Sequence, residues 1–247
     1  MRGRSQNGSS ATVYRWDLDK TYLRTEFDTM GDLVRTAFET PQSKRTVPGA
    51  AALLRELQRT EPRAICILSG SPEQMRRVLE SKLRHDGVRW DEFVLKPSLE
   101  NLLRGRFRFL RDQLGYKLGV LLRSRRTVGG ETSEILFGDD AESDAFIYSF
   151  YADICRGAVD RSTFDQILDV ARVYPDDAAA LREAFEAIPT HDAVHQVFIH
   201  LDRVSSADAF AVFGARVCPI YNYFQTSVVL AELGAIDAAA ALRVGAE

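Results

Sequence analysis

The stretch WDLDKTYL, Trp16 to Leu23, places two carboxylates, Asp17 and Asp19, one residue apart at the end of an apolar run. Burying a carboxylate without a partner is costly, and two at close range repel, so such a pair calls for a cation or a proton. Two later apolar runs end in comparable chemistry. ILSGSP offers the hydroxyl of Ser69 beside a flexible Gly70, and ILFGDDAESD offers further acids, beginning with Asp139. A lysine is available at Lys96 or Lys117. Together these groups suit phosphoryl transfer, in which a protein mainly positions the phosphoryl group and neutralises its oxygens. A carboxylate attacks phosphorus only if its repulsion from the phosphate is offset. Magnesium on Asp17 and Asp139 would offset it on one side and a lysine ammonium on the other. Asp19 would then face the departing oxygen, placed to protonate it and later to deprotonate water. Taken alone, DLD reads equally as a strand ending in a solvated turn, and GDDAESD as an acid-rich helix start.

The elements that must position these groups follow from the hydrophobic pattern. TVYRW, AICILS, DEFVL, EILFG and QVFIH are short apolar runs separated by amphipathic stretches, the pattern of a parallel sheet covered by helices. In such a sheet ligands gather at the carboxyl ends of the strands, where DLDKT, SGSP and GDDAESD fall. Pro48 fits the first turn of a helix that presents Leu53, Leu54 and Leu57 on one face. Another helix is expected from Glu73 to Leu83, with Ser71 as its N-cap and Pro72 in its first turn. Thr163 to Ile188 reads as helix broken once at Pro175, and DAFAVFG and YNYFQTSVVLAEL as closing helices. Residues 1–10 are expected to form a flexible arm and 11–247 one domain. Helices at about 157–190 would be inserted before the fifth strand, with C-terminal helices at about 206–243.

With 247 residues, 45% hydrophobic and 27% charged, the chain can bury a sizeable core. A net charge of −3 gives no global reason for nucleic-acid binding, and no apolar run approaches the roughly 20 residues needed to cross a bilayer. MRGRSQNGSS is followed by no apolar stretch, so the reading is neither secretory signal nor anchor, and a cytoplasmic location is expected. Cys66, Cys155 and Cys218 lie far apart among apolar neighbours and read as reduced core residues. Tyr221, Tyr223 and Phe224 read as core packing, and His191 and His195 have a spacing suited to a metal but no acidic third ligand nearby. From Arg104 to Arg126 the chain is strongly basic: Arg104, Arg106, Arg108, Arg111, Lys117, Arg123, Arg125 and Arg126 stand against Asp112. This is either a solvated helix face or, interleaved with Phe107, Phe109 and Leu110, a basic rim for an anionic membrane surface.

DLDKT followed by ILSGSP, a lysine and ILFGDDAESD resembles the haloacid dehalogenase superfamily of phosphatases, whose first motif is DxDxT. More narrowly, SGSP and GDDAESDAFIY resemble the catalytic domain of the actin-patch-protein type of phosphatidate phosphatase, over about Ala11 to Ala152. The resemblance implies a Rossmann-like α/β three-layer sandwich around a parallel sheet, and a magnesium-dependent phosphatase acting through an aspartyl-phosphate. It implies Asp17 as nucleophile, Asp19 as acid and base, Ser69 with Gly70 as phosphate ligands, and Lys117, with Lys96 as rival, as the charge-stabilising lysine. The metal site would be Asp17, Asp19 and Asp139, completed by Asp140 or Asp144, because Asp140 stands where the narrower family has a small residue. Arg15 departs from the pattern by placing a charge in a central strand without an evident partner. The substrate implied is a phosphomonoester, with phosphatidate or a related lipid suggested by the narrower resemblance. Rival readings are a phosphatase of phosphoproteins or nucleic-acid ends and a non-catalytic phosphate-binding or protein-interaction module.

Overall fold

The computed structural model describes residues 10–24, 45–96, 110–129, 131–202 and 205–247. Six strands form one sheet: β1 (Ser10–Asp17), β2 (Pro62–Pro72), β3 (Glu92–Lys96), β4 (Ser133–Asp139), β5 (Val194–His200) and β6 (Val217–Ile220). Their order is β3-β2-β1-β4-β5-β6 and every neighbouring pair is parallel. The helices are α1 (Ala50–Arg59), α2 (Arg76–His85), α3 (Leu110–Gln113), α4 (Gly119–Val128), α5 (Asp144–Cys155), α6 (Arg161–Val170), α7 (Pro175–Glu186), α8 (Tyr223–Glu232) and α9 (Ala238–Gly245). A π-helical stretch, Leu114–Leu118, joins α3 to α4.

The strands read as continuous apolar runs because both faces of the sheet are buried. On one face Tyr14, Trp16, Ile65, Ile67 and Phe137 pack with side chains of α1, α2, α8 and α9. On the other Leu68, Leu136, Val197 and Ile199 pack with α4, α5, α6 and α7. The helices at 157–190 therefore share a core with the sheet. They meet at the break expected near Pro175, which opens α7.

Arg15 finds its partner on the neighbouring strand. Its Nε donates to Glu134 Oε2 at 2.6 Å, its Nη2 to Glu134 Oε1 at 3.1 Å and its Nη1 to Ser124 Oγ at 2.9 Å. Arg125 Nη1 and the Tyr151 hydroxyl also donate to Glu134, at 3.1 and 2.9 Å. Burial pushes the Glu134 carboxyl up, but Arg15, Arg125 and Tyr151 outweigh it and hold the group below its ordinary value of 4.5. A depressed folded pKa contributes stability that is present above the unfolded value and lost as pH falls through the folded one. Glu134→Gln is therefore expected to cost about 3–5 kcal/mol in urea unfolding at pH 7, by leaving buried guanidinium charge uncompensated. Its deficit relative to wild type should shrink below pH ~4; an equal deficit at pH 3 and pH 7 would exclude this role.

Several expectations are corrected. β2 runs on through Pro72, so Ser71 caps no helix; a 3₁₀ turn, Glu73–Met75, intervenes before α2. Pro48 precedes α1, whose N-cap is Gly49 at φ 78°. DAFAVFG forms a 3₁₀ helix, Ala207–Phe213, leading into the edge strand β6, which the sequence reading missed. β6 has four residues including Pro219, a residue an edge strand tolerates because one side of its backbone needs no partner. Of the aromatic trio, Tyr223 is buried while Tyr221 and Phe224 are exposed. The cysteines are free, Cys66 and Cys155 buried and Cys218 partly so. Arg104, Arg106, Arg108, Phe107 and Phe109 of the basic run lie outside the described residues.

Candidate active site

With β1 and β4 adjacent at the centre and the chain leaving in opposite directions on either side, the point where the strand order reverses lies between their carboxyl ends. Asp17 is the last residue of β1 and Asp139 the last of β4. Asp144 opens α5 and reaches back to them. Each of the three offers an oxygen within 4.8 Å of the others, and among the described residues this is the group able to hold a metal ion; His191 and His195 are not part of it.

The cluster is fully buried, Asp17 at 1% exposure and Asp139 and Asp144 at 0%. Thr21 Oγ1 lies 3.3 Å from Asp17 Oδ2 and 3.4 Å from Asp139 Oδ2, so its one proton serves either carboxylate. Asp139 Oδ1 accepts from the amides of Ala141 at 2.6 Å and Glu142 at 3.1 Å. Gly138 is required by close approach: a Cβ there would meet Asp144 Oδ2 at 2.5 Å and Tyr148 Cε2 at 2.8 Å. Lys117, from the π-helical stretch, supplies the ammonium. Its Nζ is 2.9 Å from Asp17 Oδ1 and 2.8 Å from Glu142 Oε2, and it bonds Asp144 Oδ1 at still closer range. The contact to Asp17 is electrostatic, since Asp17 Oδ1 has no aligned hydrogen-bond donor. π-Helical turns often mark functional positions, and this one carries Lys117 into the cluster.

Three buried carboxylates facing one lysine are undercompensated. Burial, partly offset by Lys117 and reinforced by Asp144, Glu142 and Asp139, holds the Asp17 carboxyl well above the carboxylate range. Asp139 is raised by burial and by Asp144 and Glu142. Asp144 is raised by burial, with Lys117 opposing. Such an all-oxygen, multiply acidic pocket fits a hard divalent cation, whose charge would favour the ionised form of all three acids.

Asp19 faces a different set of groups. Ser69 Oγ donates to Asp19 Oδ2 at 2.6 Å and Ser71 Oγ to the same oxygen at 3.0 Å. Both serines reach it because the β2–β3 pairing is irregular: Ser69 pairs with Leu95 and Pro72 with Lys96, leaving Gly70 and Ser71 as a bulge. A bulge next to a site re-aims side chains, and Ser69 and Ser71 lie two apart on one side of the strand. Burial raises the Asp19 carboxyl despite both serine bonds.

The structure thus brings Asp17, Lys117, Asp139 and Asp144 together, with Asp19, Ser69 and the half-exposed Gly70 beside them. Two of the expected metal ligands lie apart from the three-acid cluster. Asp140 turns away: its carboxylate accepts from the amides of Asp202 at 2.8 Å and Ser205 at 3.3 Å, capping the turn after β5. The Asp19 carboxylate is engaged by the serines and is not in the three-acid cluster. Lys96 lies at the end of β3 with Nζ 5.8 Å from the centre of the Tyr116 ring. Thr21, Ser71 and Glu142 were not read as site residues, Ser71 being taken for a helix cap, although each sits inside a motif already read as chemical.

Residues 16–161, more than half of the chain, match the family described as phosphatidate phosphatase APP1, catalytic domain. No curated protein and no solved structure matches the chain. The matched span holds Asp17, Asp19, Ser69, Lys117, Asp139 and Asp144, the acids, serine and lysine that the fold gathers at one end of its sheet. The chain belongs to the phosphatidate phosphatase APP1 catalytic-domain family, a haloacid-dehalogenase-like family.

Proposed function

We propose that the protein is a magnesium-dependent phosphatase that hydrolyses the phosphomonoester of phosphatidate or a related lipid through an aspartyl-phosphate on Asp17. The observation that carries this reading is the buried Asp17–Asp139–Asp144 cluster with Lys117 against it at the sheet's switch point. Asp17, Asp139 and Asp144 would hold magnesium, which supplies charge neutralisation for the phosphoryl oxygens. Asp17 attacks phosphorus as the ester P–O bond breaks, and Asp19, whose carboxyl pKa burial pushes upward, gives its proton to the departing alkoxide. Asp19 then takes a proton from water as that water attacks the aspartyl-phosphate, releasing phosphate and restoring Asp17. Lys117 neutralises the anion throughout, and Ser69 with the Gly70 backbone cradles its oxygens.

The lipid substrate comes from the family's description, and no helix among the described residues is long and apolar enough to cross a membrane. On this reading residues 11–247 work as one cytoplasmic catalytic unit that meets phosphatidate at a membrane surface, with the helices at 157–190 an insertion before β5.

The test is hydrolysis of phosphatidate in detergent micelles and of a soluble phosphomonoester, each with magnesium and with excess chelator. Turnover of phosphatidate is expected to fall at least ~100-fold in chelator. Equal rates with and without chelator would sink the metal reading. Preference for the soluble ester would sink the lipid reading, and no turnover of either would favour a non-catalytic phosphate-binding module.

A further inference from the structure

The turn that carries Asp19 is built in an uncommon conformation. After β1 the chain reverses over Leu18–Leu23, where the amides of Tyr22 and Leu23 both donate to Leu18 O, at 3.0 and 2.9 Å. Lys20, inside this reversal, has φ 59°, a left-handed conformation that non-glycine residues rarely take unless their surroundings hold them there. Asp19 precedes it and faces Ser69; Thr21 follows it and reaches Asp17 and Asp139. Small rotations at Lys20 therefore move the acid and the threonine together.

Two side chains from the last third of the chain hold the carbonyl of that strained residue and the carbonyl of the residue after it. His200, the last residue of β5, bonds Lys20 O through Nδ1 at 3.2 Å; a carbonyl only accepts, so Nδ1 carries the proton. Tyr223, at the start of α8, donates its hydroxyl to Thr21 O at 2.6 Å. The two rings stack on one another with centroids 5.7 Å apart. Tyr223 in turn stacks on Trp16 at 5.4 Å, Trp16 on Phe137 at 4.0 Å and Phe137 on Phe198 at 5.4 Å, a row of rings crossing β1, β4 and β5. The donors are thus mounted on the buried aromatic core of the sheet. Both lie beyond the matched residues 16–161.

We propose that His200 and Tyr223 are positioning residues that lock the Leu18–Leu23 turn, and through it Asp19 and Thr21, into the geometry phosphoryl transfer requires. The catalytic part of this claim rests on the phosphatase reading; the locking of the turn does not. Misplacing a catalytic group by about 1 Å costs on the order of 100-fold in rate.

The experiment compares wild type with Tyr223→Phe, His200→Leu and His200→Asn, the last keeping a donor near the Nδ1 position. Amide hydrogen exchange of the full chain without metal is the first readout. Tyr223→Phe and His200→Leu should speed exchange at Tyr22 and Leu23 about tenfold, leave Val13–Trp16 and Ile135–Phe137 at wild-type rates, and be mimicked far less by His200→Asn. The second readout is kinetic. For the same two variants kcat should fall roughly 10- to 100-fold with KM within about twofold, and more for an alkyl phosphate than for nitrophenyl phosphate, because only the alkoxide needs Asp19's proton. Unchanged exchange in the turn, acceleration spread evenly through the sheet, or equal behaviour of His200→Asn and His200→Leu would overturn the proposal. A wild type without turnover would overturn the phosphatase reading instead, and the exchange pattern would still decide whether these residues lock the turn.

Discussion

Asp17→Asn is expected to lower turnover at least ~10³-fold while leaving the thermal midpoint of the metal-free protein at or above that of wild type. An amide has nearly the volume of the carboxylate, so the packing around this fully buried residue is kept. It has no charge to attack phosphorus with and is a poorer ligand for a hard cation. Stability should move the other way because the folded chain disfavours the charge it would lose. Burial, with Asp144, Glu142 and Asp139 working against Lys117, holds the Asp17 carboxyl well above its ordinary range. Removing one of three carboxylates whose oxygens lie within 4.8 Å relieves that repulsion. Steady-state kinetics with magnesium and a thermal scan in chelator check both halves. Retention of more than about a tenth of wild-type turnover would remove Asp17 as nucleophile. A midpoint several degrees lower would instead make the carboxylate a structural group.

The sheet and the acids at its edge were legible because the signals are local. TVYRW, AICILS, EILFG and QVFIH are runs buried on both faces, DEFVL is an edge run with Glu92 and Val94 only partly buried, and the strand ends of β1, β2 and β4 lie within a few residues of their chemistry. What was not legible depends on distance along the chain or on direction. Arg15 and Glu134 each interrupt an apolar run, but only the β1–β4 register, with Arg15 opposite Leu136, shows that one offsets the other. Asp140 and Asp144 could not be told apart because both follow Asp139 closely. What separates them in space is α5, whose first residue joins the three-acid cluster, and the turn after β5, whose amides bond Asp140. Lys117 and Lys96 likewise differ only through the π-helical stretch, which no propensity announces. β6 escaped notice since four residues with a proline carry almost no periodic signal. His200 and Tyr223 looked like ordinary strand and core residues, and their importance comes from carbonyls far earlier in the chain.

Lys117→Met should be the second severe change, and it affects fold and reaction together. The methionine side chain fills similar space but brings no charge, so Asp17, Glu142 and Asp144 lose the ammonium that contacts all three. Breaking a buried ion pair by removing one partner costs about 3–5 kcal/mol, because the remaining charge stays buried and uncompensated. For a chain of this size that corresponds to a midpoint lower by on the order of 10 °C in chelator. A cation that binds only the folded protein stabilises it by mass action, so magnesium is expected to restore part of this loss. Turnover should nonetheless remain down about 10³-fold, since the phosphoryl anion would still lack the lysine on its other side. Lys96→Met is the matched control: Lys96 sits at the end of β3 with its Nζ over the Tyr116 ring. If the Lys96 change proved the more damaging to turnover, the two lysines would exchange roles. If Lys117→Met left both the midpoint and the rate near wild type, the ammonium would have no part in balancing the cluster, and the acids would have to rely on the metal alone.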